Sequence, residues 1–192
     1  MSIWTSKLVS ARAMLMGLVL FAQPLTALAE APLPKAVTVR AQDLTVQGPT
    51  GYCPDPATLK QADGAVAVLL GRCTDQAEAP PAVISVTFGR AGSAAAMAAG
   101  GPEMAAFFAS DAGRKSLSRR GRAADVTVTS ARSVGDLFLF RVADRGEGIY
   151  WRGMTALKGR TVSVKVSGPD LDESESRKLV ESTAKALRRA NR

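Results

Sequence analysis

The sequence predicts an α+β fold built on a mainly antiparallel sheet, and three observations predict it. Four segments of two-residue alternation, 126–132, 137–143, 149–156 and 161–167, follow one another across short connections at 134–136, 144–148 and 158–159, which favours a four-stranded antiparallel meander. An alanine-rich stretch with helical spacing precedes them, and a charged, striped segment closes the chain. Strands first, then helices, then strands and a last helix is the segregated order of α+β proteins.

Residues 37–40 and 44–47 alternate with period two and read as strands joined to the meander's sheet. Gly48-Pro49-Thr50-Gly51 is a turn. Tyr52 to Pro56 reads as an irregular segment, because Pro54 and Pro56 lack the N–H that a sheet interior requires. Residues 56–61 admit a short helical turn. Val66-Ala67-Val68-Leu69-Leu70 is a compact apolar run, a buried strand ending at Gly71, and 82–88 restores strand character after a surface loop at 75–81.

Between 93 and 110, Met97, Met104 and Phe108 can share one helical face. The helix should break near Gly100-Gly101 and restart with Pro102 in its first turn, followed by Glu103. A second helical piece is expected from Asp111, as N-cap, to about Arg120, closed by Gly121. In the last strand Val162, Val164 and Val166 point one way and Thr161, Ser163, Lys165 and Ser167 the other, so one face should be buried, under helices, and the other wet. The terminal helix opens with Asp170, Asp172, Glu173 and Glu175, closes with Lys185, Arg188, Arg189 and Arg192, and carries Val180, Ala184 and Leu187 on one side. That order of charge complements the helix dipole.

Ahead of the fold, residues 1–29 have the order of a cleavable secretion signal. Lys7 and Arg12 make a positive start, 13–22 is an unbroken apolar run, Pro24 breaks any helix, and Ala27-Leu28-Ala29 offers a small-x-small cleavage site. Ten apolar residues give a helix of about 15 Å, half of the roughly 30 Å hydrocarbon core of a bilayer. A transmembrane anchor is therefore not expected, and residues 30–36 read as a short tether before a single domain at 37–192. The expected compartment is the periplasm or the exterior.

Lys7 and Arg12 are two of the 25 Lys and Arg, and all 17 acidic residues follow residue 29, which leaves the rest of the chain at +6. In an exported protein such an excess is better matched to an anionic envelope component or to solvent than to nucleic acid. The two cysteines, Cys53 and Cys73, are expected to form a structural disulfide in an oxidising compartment. They are not a C-x-x-C redox pair, and zinc needs more ligands than two.

The chain has no histidine, which removes Ser-His-Asp and Cys-His catalysis, His-ligated zinc and haem, and the HExxH metalloproteases. It also lacks a GxSxG elbow, a Walker loop, a GxGxxG fingerprint and an EF-hand loop. No metal or cofactor is expected. The acidic cluster 170–175 is explained by a helix start, and no catalytic residue stands out; a pair of carboxylates distant along the chain remains open.

Two features are candidate binding residues. Arg114, Lys115, Arg119, Arg120 and Arg122 form the densest basic run, suited either to an anionic partner or to a solvated helix end. Tyr150-Trp151-Arg152 is the other: Tyr150 and Arg152 share one side of a strand, and Trp151, on the opposite side, reads as core first and as a ligand-stacking ring second.

The pattern Leu44-x-Val46-x-x-Pro49-x-Gly51-Tyr52, a helical middle, and Trp151-Arg152 leading through Gly159-Arg160 to an alternating strand and a C-terminal helix resembles the PsbP/Mog1-like α/β proteins. It is also similar to a group of uncharacterised exported alphaproteobacterial proteins. The first resemblance implies an antiparallel sheet sandwiched by helices and a role in binding and assembly rather than catalysis. With no recognisable catalytic set in an exported α+β domain, the expected function is a non-enzymatic periplasmic or secreted accessory protein that binds another envelope component, a protein or an anionic one. A binder of small anionic ligands or lipid head groups and a carboxylate-based hydrolase are the alternatives.

Overall fold

In the computed structural model, which describes residues 32–39 and 42–192, most of the chain folds around one antiparallel sheet. The expected signal at 1–29, the first two residues of the tether and Arg40, the last residue of the first expected strand, lie outside the described residues. Strands β1 (Ala36–Val39) and β2 (Leu44–Gln47) form a separate hairpin. The large sheet contains β3 (Tyr52–Pro54), β4 (Lys60–Ala62), β5 (Ala65–Arg72), β6 (Val83–Phe88), β7 (Val126–Val134), β8 (Leu137–Asp144), β9 (Gly148–Leu157) and β10 (Arg160–Ser167). Its order is β3-β5-β6-β10-β9-β8-β7, with β4 paired to β5.

That order follows from one long passage. After β6 the chain crosses to the opposite edge of the sheet through a 3₁₀ turn at Ser93–Met97, helix α1 (Gly101–Ala109), helix α2 (Asp111–Leu117) and a 3₁₀ turn at Ala123–Asp125. The meander β7-β8-β9-β10 then returns strand by strand until β10 meets β6, with Val164 opposite Val86. Helix α3 (Glu173–Ala190) follows and lies against β9, β10 and β2.

The α+β class, the four-stranded meander and the C-terminal helix are as the sequence predicts. Asp172 caps α3, its carboxylate accepting the N–H of Glu175, while the Glu175 carboxylate accepts the N–H of Asp172. The acidic cluster therefore serves as a capping box.

Several local expectations need correction. The hairpin β1-β2 pairs with itself rather than joining the main sheet. Tyr52–Pro54 is a strand, not irregular; it sits at the sheet edge, where a proline costs no interior ladder bond. The N-cap of α2 is Ser110, whose hydroxyl accepts the Gly113 N–H, because α1 and α2 meet at a sharp corner one residue before Asp111. A Cβ on Gly113 would collide with the Phe107 carbonyl, so only glycine closes that corner. Helix α2 ends at Leu117 rather than near Arg120. The helices do not all cover one face: α3 and the β1-β2 hairpin lie on one side, and α1 and α2 on the other.

The core is accordingly double. On the first face Val66, Val68, Leu70, Ile84, Val86, Phe88, Leu139, Val162, Val164 and Val166 pack under α3 and the hairpin with Val180, Ala184, Leu187, Leu44 and Val46. Gly153 is what admits α3 so closely, since a Cβ there would lie 2.5 Å from the Val180 methyl. On the second face Phe138, Phe140, Val142 and Tyr150 pack under Met104, Phe108 and Leu117. Phe108 stacks on Phe140 with ring centroids 4.6 Å apart. Strand β8 is thus apolar on both sides, which explains its unbroken start Leu137-Phe138-Leu139-Phe140.

Cys53 and Cys73 are bonded, with both sulfurs buried, tying β3 to the residue just past β5. Among the described residues, no helix is long and apolar enough to cross a membrane.

Candidate functional site: the half-open face of the sheet

The helical passage spans the sheet but does not cover all of it. Its first turn is held at the start of β10, where the Ser93 hydroxyl accepts the Thr161 N–H and the Thr161 hydroxyl donates to the Ser93 carbonyl. Helices α1 and α2 then lie over β7, β8 and β9. On the same face the rest of β10, β6 and β5 stay uncovered, with Ser163, Lys165, Ser85, Thr87 and Ala67 half-buried and Val83 and Leu69 exposed. The expected wet side of β10 is therefore an open floor beside a helical wall.

Arg152 stands at the foot of that wall. Alternation along β9 puts Tyr150, Arg152 and Met154 on this face, and Arg152 lies opposite Phe140 on one side and Lys165 on the other. Its Nε donates to the Ser163 hydroxyl at 2.8 Å. Burial holds the guanidinium below its usual pKa range. Among the described residues it takes part in no ion pair. Of five N–H donors in a rigid fork, one is engaged, by a neutral partner. The Glu147 carboxylate, which is paired with Lys165, acts on Arg152 only from a distance, and a partly desolvated charge with no counter-charge in contact is costly.

Lys165, the neighbouring cation, is already satisfied: its ammonium pairs with Glu147 at 2.9 Å and sits 5.1 Å above the Tyr150 ring. Tyr150 is buried, with its hydroxyl 3.4 Å from the Leu117 carbonyl and burial pushing its pKa up to about 12. Trp151 faces the other way, in the core under α3. Neither ring is presented to solvent, so the expected aromatic contact by Tyr150 and Trp151 is corrected: Tyr150 shapes the wall and Trp151 is core.

The basic run does not join Arg152. Arg114 pairs with Asp111 at 2.5 Å. Arg120 and Arg122 both reach the Asp125 carboxylate, at 3.0 and 2.8 Å, and the Arg122 hydrogen bond holds that carboxyl below the usual range. Arg119 offers its backbone N–H to Asp144, and the side chains of Lys115 and Arg119 point into no described ion pair. Two of the five, Arg120 and Arg122, share one carboxylate in the corner that connects α2 to β7, and Arg114 is paired within α2.

The same corner bears on carboxylate catalysis. Asp125 and Asp144 are buried beside one depression of about 300 Å³. Asp125 is clamped by two guanidinium groups, and Asp144 accepts the N–H groups of Arg119 and Gly146. A general acid needs a carboxyl held above its usual range, and Asp125 is shifted the opposite way. Both groups act as fasteners. Among the described residues, no group of three or more Cys, Asp or Glu could hold a metal ion.

The wall carries an apolar hollow of about 320 Å³, lined by Ala96, Met97, Met104, Phe107, Phe108 and Met154 among others. Phe107 is half-exposed at its rim. Sequence reading placed Met97, Met104 and Phe108 on one helical face but did not foresee the hollow, because Met154 comes from a strand and only the sheet brings it there. No protein-family model matches this chain, and no curated protein matches it.

Proposed function

We propose that the protein is a non-enzymatic, exported binding protein whose docking face is the uncovered half of the sheet, and that Arg152 takes an anionic group of the partner. The single observation behind this reading is the Arg152 guanidinium, half-buried, shifted by desolvation and in contact with no carboxylate among the described residues. A guanidinium fork is the side chain best suited to bidentate contact with carboxylate or phosphate. The leader-like order of residues 1–29 and the Cys53–Cys73 bond support a periplasmic or secreted location. The likeness to PsbP/Mog1-like proteins agrees with binding rather than catalysis.

Crosslinking capture from envelope extract tests the reading. The wild-type protein should enrich a component that Arg152→Gln does not. Equal capture by both forms, or none by either, would overturn it.

A further inference from the structure

Only six methionines occur in the chain, and Met1, Met14 and Met16 belong to the leader. The other three, Met97, Met104 and Met154, all line the hollow in the helical wall. They arrive from three different elements, a 3₁₀ turn, a helix and a strand; Phe107, Phe108, Ala96 and Ala99 add apolar lining, and Glu103 is the one charged residue of the described lining. Unbranched, polarisable thioethers fit irregular apolar guests and recur at adaptable binding surfaces. A volume of about 320 Å³ lies at the small end of ligand pockets, roughly 300–1,000 Å³.

The cation is next to it. Met154 and Arg152 are two residues apart on the same face of β9, which places their Cα atoms roughly 7 Å apart. Ser163, which accepts the Arg152 Nε hydrogen bond, is also the cross-strand partner of Met154. That bond turns the guanidinium along the strand toward Met154 and leaves its remaining N–H groups for a guest. Arg152 is not itself among the residues that line the hollow; Met154 joins the two, and of the two cations on this face Lys165 is the one in direct contact with Glu147.

We infer that this is a small-ligand site for an amphipathic organic acid, with the apolar part among Met97, Met104, Met154 and Phe107 and the acid group on Arg152. The inference deepens the binding role proposed above and rests on the same cation. A purely apolar guest would leave Arg152 unanswered, and a free inorganic anion would leave the hollow unfilled, so both halves together select the class.

Titration calorimetry of the purified protein with octanoate, octanol and acetate tests it, alongside methyl-resolved NMR of the methionines. Octanoate should bind saturably and shift the methyl signals of Met97, Met104 and Met154. Octanol, which lacks the charge, and acetate, which lacks the tail, should each bind at least about tenfold more weakly. Arg152→Gln should reduce octanoate to the octanol level while leaving octanol unchanged. Phe107→Ser, at a half-exposed position that the fold tolerates, should weaken both. Arg152→Lys, with charge but no fork, should fall between wild type and Arg152→Gln.

Equal affinity for octanoate and octanol, or octanoate binding that moves none of the three methyl signals, would overturn the inference. So would the absence of octanoate binding. If envelope capture still depends on Arg152 in that case, only the ligand class falls; if capture is also insensitive to Arg152, the proposed docking face falls with it.

Discussion

The two faces of the sheet are built to different standards of closure. Under α3 and the β1-β2 hairpin the inward apolar residues of β5, β6 and β10 are all buried, and the cover is fastened at its ends. Asn191, at the end of α3, accepts the Thr45 N–H at 2.9 Å and donates to the Thr45 carbonyl at 2.7 Å, extending β2 much as a neighbouring strand would. Arg188 pairs with Asp136 in the β7-β8 turn, and Lys158 pairs with Asp43. The opposite face has a partial cover of two short helices, with Leu69, Val83 and Phe107 exposed and a cation in contact with no described carboxylate, whereas on the α3 side Val134 and Ile149 are exposed only on β7 and β9, away from β5, β6 and β10. One face carries the larger core, and the other leaves part of the sheet uncovered. A domain of this size, stable by only about 5–15 kcal/mol, can leave half a face open because the other face supplies most of the burial.

The comparison predicts that equivalent truncations cost far more on the closed face. Leu187→Ala, on the buried side of α3, should lower unfolding free energy by about 2–5 kcal/mol, since a cavity adds to the lost transfer energy. Chemical denaturation measures it, and a loss below 1 kcal/mol would show that α3 is a loose cover.

Replacing Cys53 and Cys73 together by alanine releases a bond spanning 20 residues, and the chain-entropy account expects a loss of about 3 kcal/mol. The same double variant should leave octanoate affinity unchanged, because the bond lies at the opposite edge from the hollow. A coupled loss of affinity would join the two regions that are here kept apart.

Asn191→Ala leaves both backbone groups of Thr45 without their partner and should cost roughly 1–3 kcal/mol. Hydrogen exchange should then rise in β1 and β2 before the main sheet. Uniform exchange across the molecule would mean that the hairpin is not a separate layer.

Phe107→Ser sharpens the contrast from the open side. Its effect on stability should stay within about 0.5 kcal/mol, while ligand affinity falls. A stability loss as large as that of Leu187→Ala would reclassify the hollow as ordinary core.

Much of this architecture is legible along the chain. The alternation of Val162, Val164 and Val166 against Thr161, Ser163 and Lys165, the short connections, and the acid-first, base-last order of α3 are local patterns, and local patterns survive folding. The corner between α1 and α2 was harder to place, because Ser110 and Asp111 are both good caps and only the clash at Gly113 decides between them. Strand β4, Lys60-Gln61-Ala62, has no apolar rhythm and exists because β5 offers it a partner. The basic run was legible as charge but not as chemistry: Asp125, which neutralises two of its members, looks from sequence like any lone carboxylate.

The sequence by itself determined the class of fold, the meander, the capped terminal helix, the pairing of the only two cysteines and the absence of histidine chemistry. Each of these depends on residue type and on spacing over a few turns or strands. Tertiary structure alone decided that the helices divide between two faces, that Gly153 seats α3, that Arg152 meets Ser163, and that three methionines line one hollow. Those facts depend on which strands become neighbours, and β10 finds β6 only after a passage of more than seventy residues has closed the sheet.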